Sequence, residues 1–426
     1  MIFLPEYKKK SKRAFSGGSR AQKSKVNKQK SVSPQVKKVN YTAQAQKSDL
    51  KVVKGRKLEQ MRKMRISAAF FAVVIAIIVI FELSLPIGIG DSLENFFACM
   101  GSGEFPLEIA GTDLVDAKTS NSYVYSLSNT TLGAYNSSGK EIFSYSHGFE
   151  KPIIKKSSTR VIVFEQGGKN AAIFNLSEQK SKIKTENEII TANISRCGVY
   201  AIATHSESYA STVSVYDTND KLIYEWYSSE NIVNNVIVSP NGKKIAVSTI
   251  NAKNGEFVTN VSVMKFDSAN ALFSADFKGE VLLTLDSSHN RGFWCVSENT
   301  VKFIKWSNYK EKEFRTDYSV SRFKADFGGT VAVFNRHSDK TDSTVVLFNK
   351  SGDKKSEFKF LGSINDIAMI SGHIYCISDK TVYVLDKTGK VLKSAECSFG
   401  GEKIFVIGTY DVAVMNDNTI EKIHLK

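Results

Sequence analysis

A chain of 426 residues, 42% of them hydrophobic, is long enough to bury one or two soluble units. Its formal charge of +15 suggests a nucleic-acid binder, but 20 Lys/Arg against 3 Asp/Glu fall within residues 1–65, and the remainder is slightly acidic. Five cysteines (Cys99, Cys197, Cys295, Cys376, Cys397), widely spaced and without a C-x-x-C pair, argue against a disulfide framework and against a zinc site.

Residues 1–65 are rich in Lys, Ser, Gln and Asn, and nearly lack apolar periodicity. Such a segment cannot bury enough surface to offset its conformational entropy, so it is expected to be a disordered basic tail. Phe3, Tyr7, Phe15 and Tyr41 are too sparse for a base-stacking platform, which makes nucleic acid a poor partner. Attraction to anionic lipid fits the charge better. Residues 51–65 carry Leu58, Met61 and Met64 at helical spacing and are read as an inward extension of the next element.

That element is ISAAFFAVVIAIIVIF, residues 66–81, continuing to Pro86. As a helix of about 20 residues it would rise ~30 Å, one hydrocarbon thickness. Lys63 and Arg65 precede it, whereas no Lys or Arg follows until Lys118. This asymmetry predicts a single-pass transmembrane helix over 66–86, with the N-terminus cytoplasmic and the rest extracytoplasmic. A cleaved signal peptide fits less well, because the leader is 65 residues long and no small-x-small site follows promptly. Residues 87–103 read as a juxtamembrane linker.

From residue 104 onward, short alternating runs rich in Val, Ile, Tyr and Phe are separated by Gly, Asn, Asp and Ser clusters, the pattern of many short strands. One strand-turn-strand unit recurs as TLGAYNSSGKEIFSY (131–145), VSVYDTNDKLIYEW (213–226), TVVLFNKSGDKKSEF (344–358) and TVYVLDKTGKVLKS (381–394). Asn or Asp ends each first strand, where its side chain can hold the turn, and Gly139, Gly352 and Gly389 suit the left-handed position. Equivalent positions Tyr135, Phe174, Tyr216, Met264, Ile304, Phe348 and Leu385 are 39, 42, 48, 40, 44 and 37 residues apart. A strongly apolar hairpin precedes each unit, as in VIVSPNGKKIAVST (236–249).

Four strands per ~40 residues predict a β-propeller. Blade starts fall near 112, 149, 188, 230, 280, 319, 362 and 399, which makes the domain over 104–426 all-β with eight blades, seven being the competing count. The eighth blade runs out after three strands, and EFPLEIA (104–110) is placed to supply its fourth and close the ring.

The SPNGKKIAVST hairpin and the YDTNDKLIYEW and LDKTGKVL units resemble WD40-like and quinoprotein-like propeller repeats. The order of basic tail, single anchor, GSGEFPLEIAGTDLVD and propeller resembles a family of membrane-anchored proteins of Gram-positive bacteria that carries only a domain-of-unknown-function label. The resemblance implies an architecture and brings no activity. Quinoprotein chemistry is not implied, since only Trp226 follows a turn at the docking position and neither a cofactor-type cysteine pair nor an acidic calcium cluster occurs.

The six histidines form no metal spacing, and no G-x-S-x-G, P-loop or paired-carboxylate arrangement stands out. The chain therefore reads as non-catalytic, and neither a cofactor nor a metal is expected. Long connections between second and third strands occur at 205–212, 251–260 and 336–344. Such loops are disproportionately functional, so His205, Tyr209, Lys253, Phe257, Arg336 and His337 are the candidate binding residues around one channel mouth. The expectation is an interaction or sensing module held at the cell membrane, with an envelope protein or cell-wall ligand as partner. Two alternatives stay open: a tether whose tail binds an intracellular partner or anionic lipid, and a propeller-based enzyme (glycosidase, lyase or quinone-dependent oxidoreductase).

Overall fold

The computed structural model describes residues 59–77 and 89–425, apart from 110–112, 121–122, 254, 269, 290, 327–328, 337–338, 371, 409 and 417. Residues 59–77 are helical, and their side chains are almost all exposed. Among the described residues no helix is long and apolar enough to cross a membrane. Of the span expected over 66–86, residues 66–77 lie in this helix and rise only ~18 Å, while 78–86 lie outside the described residues. The tail up to residue 58 also lies outside them.

From Leu107 to the C-terminus, the described strands form eight antiparallel four-stranded sheets, so the count is eight blades and not seven. Blades 1 to 7 use consecutive strands from the inside outwards, over 114–146, 152–184, 189–228, 232–278, 284–315, 319–361 and 366–396. Blade 8 takes Lys403–Val406, Asp411–Met415 and Thr419–His424 from the C-terminus and its outermost strand, Leu107–Glu108, from the start of the domain. Leu107 pairs with Ile420 and Glu108 with Thr419, as the EFPLEIA segment predicts.

Asn and Asp hold the turns between third and outermost strands as expected. Asn349 Oδ1 accepts from the Ser351 and Asp353 amides at 2.8 and 2.9 Å, and Asp386 Oδ1 from those of Thr388 and Lys390 at 2.8 and 3.0 Å. Gly352 (φ +81) also lies against the preceding blade, where a Cβ would come within 2.6 Å of the Phe303 side chain. In blade 3 Asp220 takes the left-handed position (φ +61), and its carboxylate accepts from Tyr200 Oη at 2.8 Å.

Burial follows the same logic. Second strands are almost wholly buried, as in Gly292–Val296, whereas outermost strands such as Glu311–Arg315 alternate between exposed and half-buried. The apolar side chains divide into eight clusters, each spanning the seam between two neighbouring blades. Leu127 and Leu132 of blade 1 meet Val161, Val163 and Phe174 of blade 2, and Phe405 and Ile420 of blade 8 meet Val124 and Tyr135 of blade 1. All five cysteines are free thiols. Burial pushes Cys376 up to about 12, so it is an inert packing group.

Residues 89–103 are not an open linker. Ile89–Ala98 forms a helix whose polar face is docked on blade 2. Asp91 pairs with Arg160, Asn95 Nδ2 donates to the Thr159 carbonyl at 3.0 Å, and Asn95 Oδ1 accepts from the Leu176 amide at 3.0 Å. Asn136 Nδ2 then holds the Cys99 and Gly101 carbonyls at 3.0 and 2.8 Å.

Candidate functional site

Each chain reversal falls on one of two faces. Links between consecutive blades, and between second and third strands, emerge on what is here the upper face; links between first and second, or third and outermost, strands emerge on the lower face. The docked helix contacts the lower face through the 157–160 and 175–178 turns of blade 2, and residues 99–101 after it contact Asn136 and Ser138 of blade 1.

The candidate residues from sequence that are described lie on the upper face, in two separate groups. His205 and Tyr209 are exposed on blade 3, held by a His205 amide bond to the Glu188 carbonyl at 3.0 Å and a Tyr209 amide bond to Ser206 Oγ at 3.3 Å. Lys253 and Phe257 belong to blade 4, where 251–260 is not a loop. Strands Lys244–Lys253 and Glu256–Lys265 continue above the sheet as a hairpin in which Lys253 faces Glu256 and Ala252 faces Phe257. Paired backbone bonds sustain this extension, with Asn251 Nδ2 donating to Asn231 Oδ1 at 2.7 Å, so a polar sequence does not betray it. Residues 336–344 likewise belong largely to a strand pair, with Arg336 opposite Asp339. Arg336 stands on blade 6, two blades from Phe257, and His337 lies outside the described residues.

Around Tyr209 and Phe257 the upper face carries apolar side chains that sequence reasoning missed. Tyr209 packs on Tyr227 with ring centroids 4.9 Å apart, and Tyr227 Oη donates to Glu225 Oε2 at 2.8 Å. That carboxylate holds the Tyr227 phenol above its ordinary range. Ile232 opens the innermost strand of blade 4 and Leu283 ends the link into blade 5, and both are more than half exposed, as is Phe257. The 279–283 link is pinned in place: the Gly279 amide donates to the Phe257 carbonyl at 2.9 Å, and Glu280 pairs with Arg315 while accepting from Ser297 Oγ. The sequence signal for Tyr227 was LIYEWYS, whose alternation turns Tyr227 outwards with Glu225.

Charge separates the two faces. Among the described residues, upper-face connections hold eleven carboxylates and three lysines, whereas lower-face connections hold ten Lys/Arg and six carboxylates. The upper face therefore attracts cations and the lower face anions. At the inner rim of the seam between blades 8 and 1, Asp116 Oδ1 accepts from Lys403 Nζ at 2.5 Å and Oδ2 pairs with Lys118 Nζ at 2.7 Å. Burial raises the Asp116 carboxyl, but the two ammonium groups outweigh it and hold it below the usual range. Burial, reinforced by the Lys324 and Lys403 charges, lowers Lys118 despite Asp116. Among the described residues no cluster of His, Cys, Asp and Glu could hold a metal ion.

Solved propellers share this fold at low identity. BamB from Moraxella catarrhalis superposes with a TM-score of 0.50 at 10% identity, over 75% of this chain and all of its own. The C-terminal WD40 domain of Sif2 gives 0.55 at 11%, and Sqt1 from Saccharomyces cerevisiae 0.55 at 10%, each over 76% of this chain and all of the other. At such identities the likeness concerns the fold alone. No curated protein sequence matches. The family model for a family of unknown function (DUF5711) matches residues 107–425, from the closing strand to the end of blade 8, and the chain belongs to that family.

Proposed function

We propose that this chain is a membrane-anchored, extracytoplasmic interaction module, non-catalytic, that grips a protein partner on the upper face of blades 3 to 5. The observation that carries this reading is the exposed group Tyr209, Tyr227, Ile232, Phe257 and Leu283, set among Glu188, Glu207, Glu230 and Glu256. Interface centres favour aromatic and aliphatic anchors that lose their water, and a charged rim selects the partner's sign. The partner is then a basic polypeptide segment with apolar side chains.

Anchoring rests on the apolar run 66–86 and the basic flank before it. Two features of the lower face support the arrangement. The chain joins the propeller there, through the helix Ile89–Ala98, and that helix exposes Phe96 and Phe97, edge to face at 5.6 Å. Aromatic side chains favour the membrane interface, and a net basic face favours anionic lipid. The upper face then points away from the bilayer, and the tail 1–65 stays on the cytoplasmic side.

The test is site-specific photocrosslinking from position 257 of the full chain in cells, with position 140 on the lower face as control. A crosslinked protein that carries a basic segment, and is lost in Tyr209→Ala/Leu283→Ala and Glu207→Lys/Glu230→Lys variants, supports the reading. Equal crosslinking from both positions, or indifference to both variants, overturns it. Protease added to intact cells tests the topology: survival of the propeller region would refute extracytoplasmic placement.

A further inference from the structure

The lower face holds a cavity of about 670 Å³ where the 239–243 turn of blade 4, the 306–310 turn of blade 5 and the 349–353 turn of blade 6 converge. Lys244, Arg291 and Lys305 line it together with Ser239, Asn241, Ser307 and Ser351, and no carboxylate does. The cations are held without being neutralised. Lys244 Nζ donates to the Trp306 carbonyl at 2.8 Å and to Tyr309 Oη at 2.9 Å, and Arg291 Nη1 donates to Ser351 Oγ at 2.8 Å. Among the described residues none of the three pairs with an acid. Lys265, Lys302, Lys312 and Lys354, by contrast, all have carboxylate partners.

Three like charges around one concavity repel each other, and the neutral partners of Lys244 and Arg291 fix their positions without removing that repulsion. An anion relieves it, and the guanidinium fork and ammonium groups match a phosphate best. The walls are stiff. Trp306 is buried against Phe293 with ring centroids 4.5 Å apart, and the Trp306 amide donates to the Arg291 carbonyl at 3.1 Å. In the 239–243 turn, Ser239 Oγ accepts from the Lys243 and Lys244 amides at 3.2 and 3.0 Å. The volume exceeds what a single phosphate fills, which leaves room for the group it is attached to.

We infer that this cavity is a binding site for a phosphate-bearing ligand, with Lys244, Arg291 and Lys305 as its cationic contacts. The chemistry is the same whether the phosphate belongs to a soluble ester or to a lipid headgroup. It does not depend on the upper-face partner or on the membrane anchor.

Titration calorimetry of the full chain with pyrophosphate forms one arm. The other is flotation with phosphatidylglycerol/phosphatidylcholine vesicles against phosphatidylcholine alone. Each lost charge-assisted contact should weaken binding about tenfold, so Arg291→Ala and Lys305→Ala should each do so, and Lys140→Ala and Lys390→Ala, on the same face but outside the cavity, should not. Saturable pyrophosphate binding with this pattern supports the site and assigns a soluble ligand. The same pattern only with phosphatidylglycerol vesicles supports it and assigns a headgroup. Failure of both arms, or equal weakening by all four substitutions, overturns it. Thermal melts of the variants, expected to match the parent because Arg291 and Lys305 reach the surface, separate lost binding from lost folding.

Discussion

Lys403 and Asp116 stand 287 positions apart in the chain and meet at 2.5 Å on the seam where the ring closes. Comparable contacts knit other seams: the Val238 amide donates to Asn193 Oδ1 at 3.2 Å, and that of Ile404 to Asp366 Oδ2 at 3.0 Å. Among the described residues, only the closing seam relies on a carboxylate between two ammonium groups, so it should respond to pH. The Asp116 carboxyl is lowered on folding, so its contribution is complete above the unfolded value of ~3.9 and is lost as pH falls through the folded one. Asp116→Asn should reduce unfolding stability by about 1–2 kcal/mol at pH 7, discounted for the exposure of both lysines. Denaturant titrations of the two proteins should converge once pH falls below the folded Asp116 value; a difference that persists in strong acid would contradict this assignment.

The closing strand is only two residues long, so one side chain matters unusually. Leu107 is 5% exposed and packs with Phe405, Met415 and Ile420. Leu107→Ala should cost about 2–4 kcal/mol. Deleting 104–108 should uncover the edge of Thr419–His424 and promote self-association, visible by light scattering. A monomer of unchanged melting temperature would show that the strand is dispensable.

Two glycines with similar backbone angles should behave differently. At Gly352 (φ +81) a Cβ would meet the Phe303 side chain at 2.6 Å, whereas Gly148 (φ +65) has open space around it. Gly148→Ala should cost about 1 kcal/mol from the left-handed conformation alone, and Gly352→Ala about 3 kcal/mol or more from strain plus overlap. Equal losses in chemical denaturation would mean that turn geometry, not contact between blades, selects the glycine.

Docking of the Ile89–Ala98 helix depends on polar bonds. Asp91→Ala with Asn95→Ala removes its ion pair to Arg160 and its bonds to Thr159 and Leu176. Cleavage by chymotrypsin at Phe96 and Phe97 should accelerate at least tenfold, while the melt of the propeller shifts by only a few degrees. Unaltered cleavage would mean that Ala98 and Cys99, which pack on the core of blades 1 and 2, suffice to hold the helix.

Much of the wheel could be read from its amino acids because each blade repeats one local solution. Innermost strands begin at 114, 152, 189, 232, 284, 319, 366 and 403, each within four residues of its expected start. Asn349, Asp386 and Leu107 do what their residue types and places foretell. What escaped was tertiary and polar. The docked helix turns Asp91 and Asn95 inward, to partners over 60 residues away, a relationship no hydrophobic period records. The upper-face group escaped too, because Tyr209, Ile232 and Leu283 come to one face only once blades 3 to 5 stand side by side.

The route by which the chain reaches its closing strand decides how the wheel bears load. Tension applied from the N-terminal side arrives first at Asp91 and Asn95, where blade 2 takes it in shear. The two-rung clasp at Leu107 and Glu108 lies behind that brace and is shielded while the brace holds. A tether built this way would yield in two steps under force, first at the brace and then at the rim.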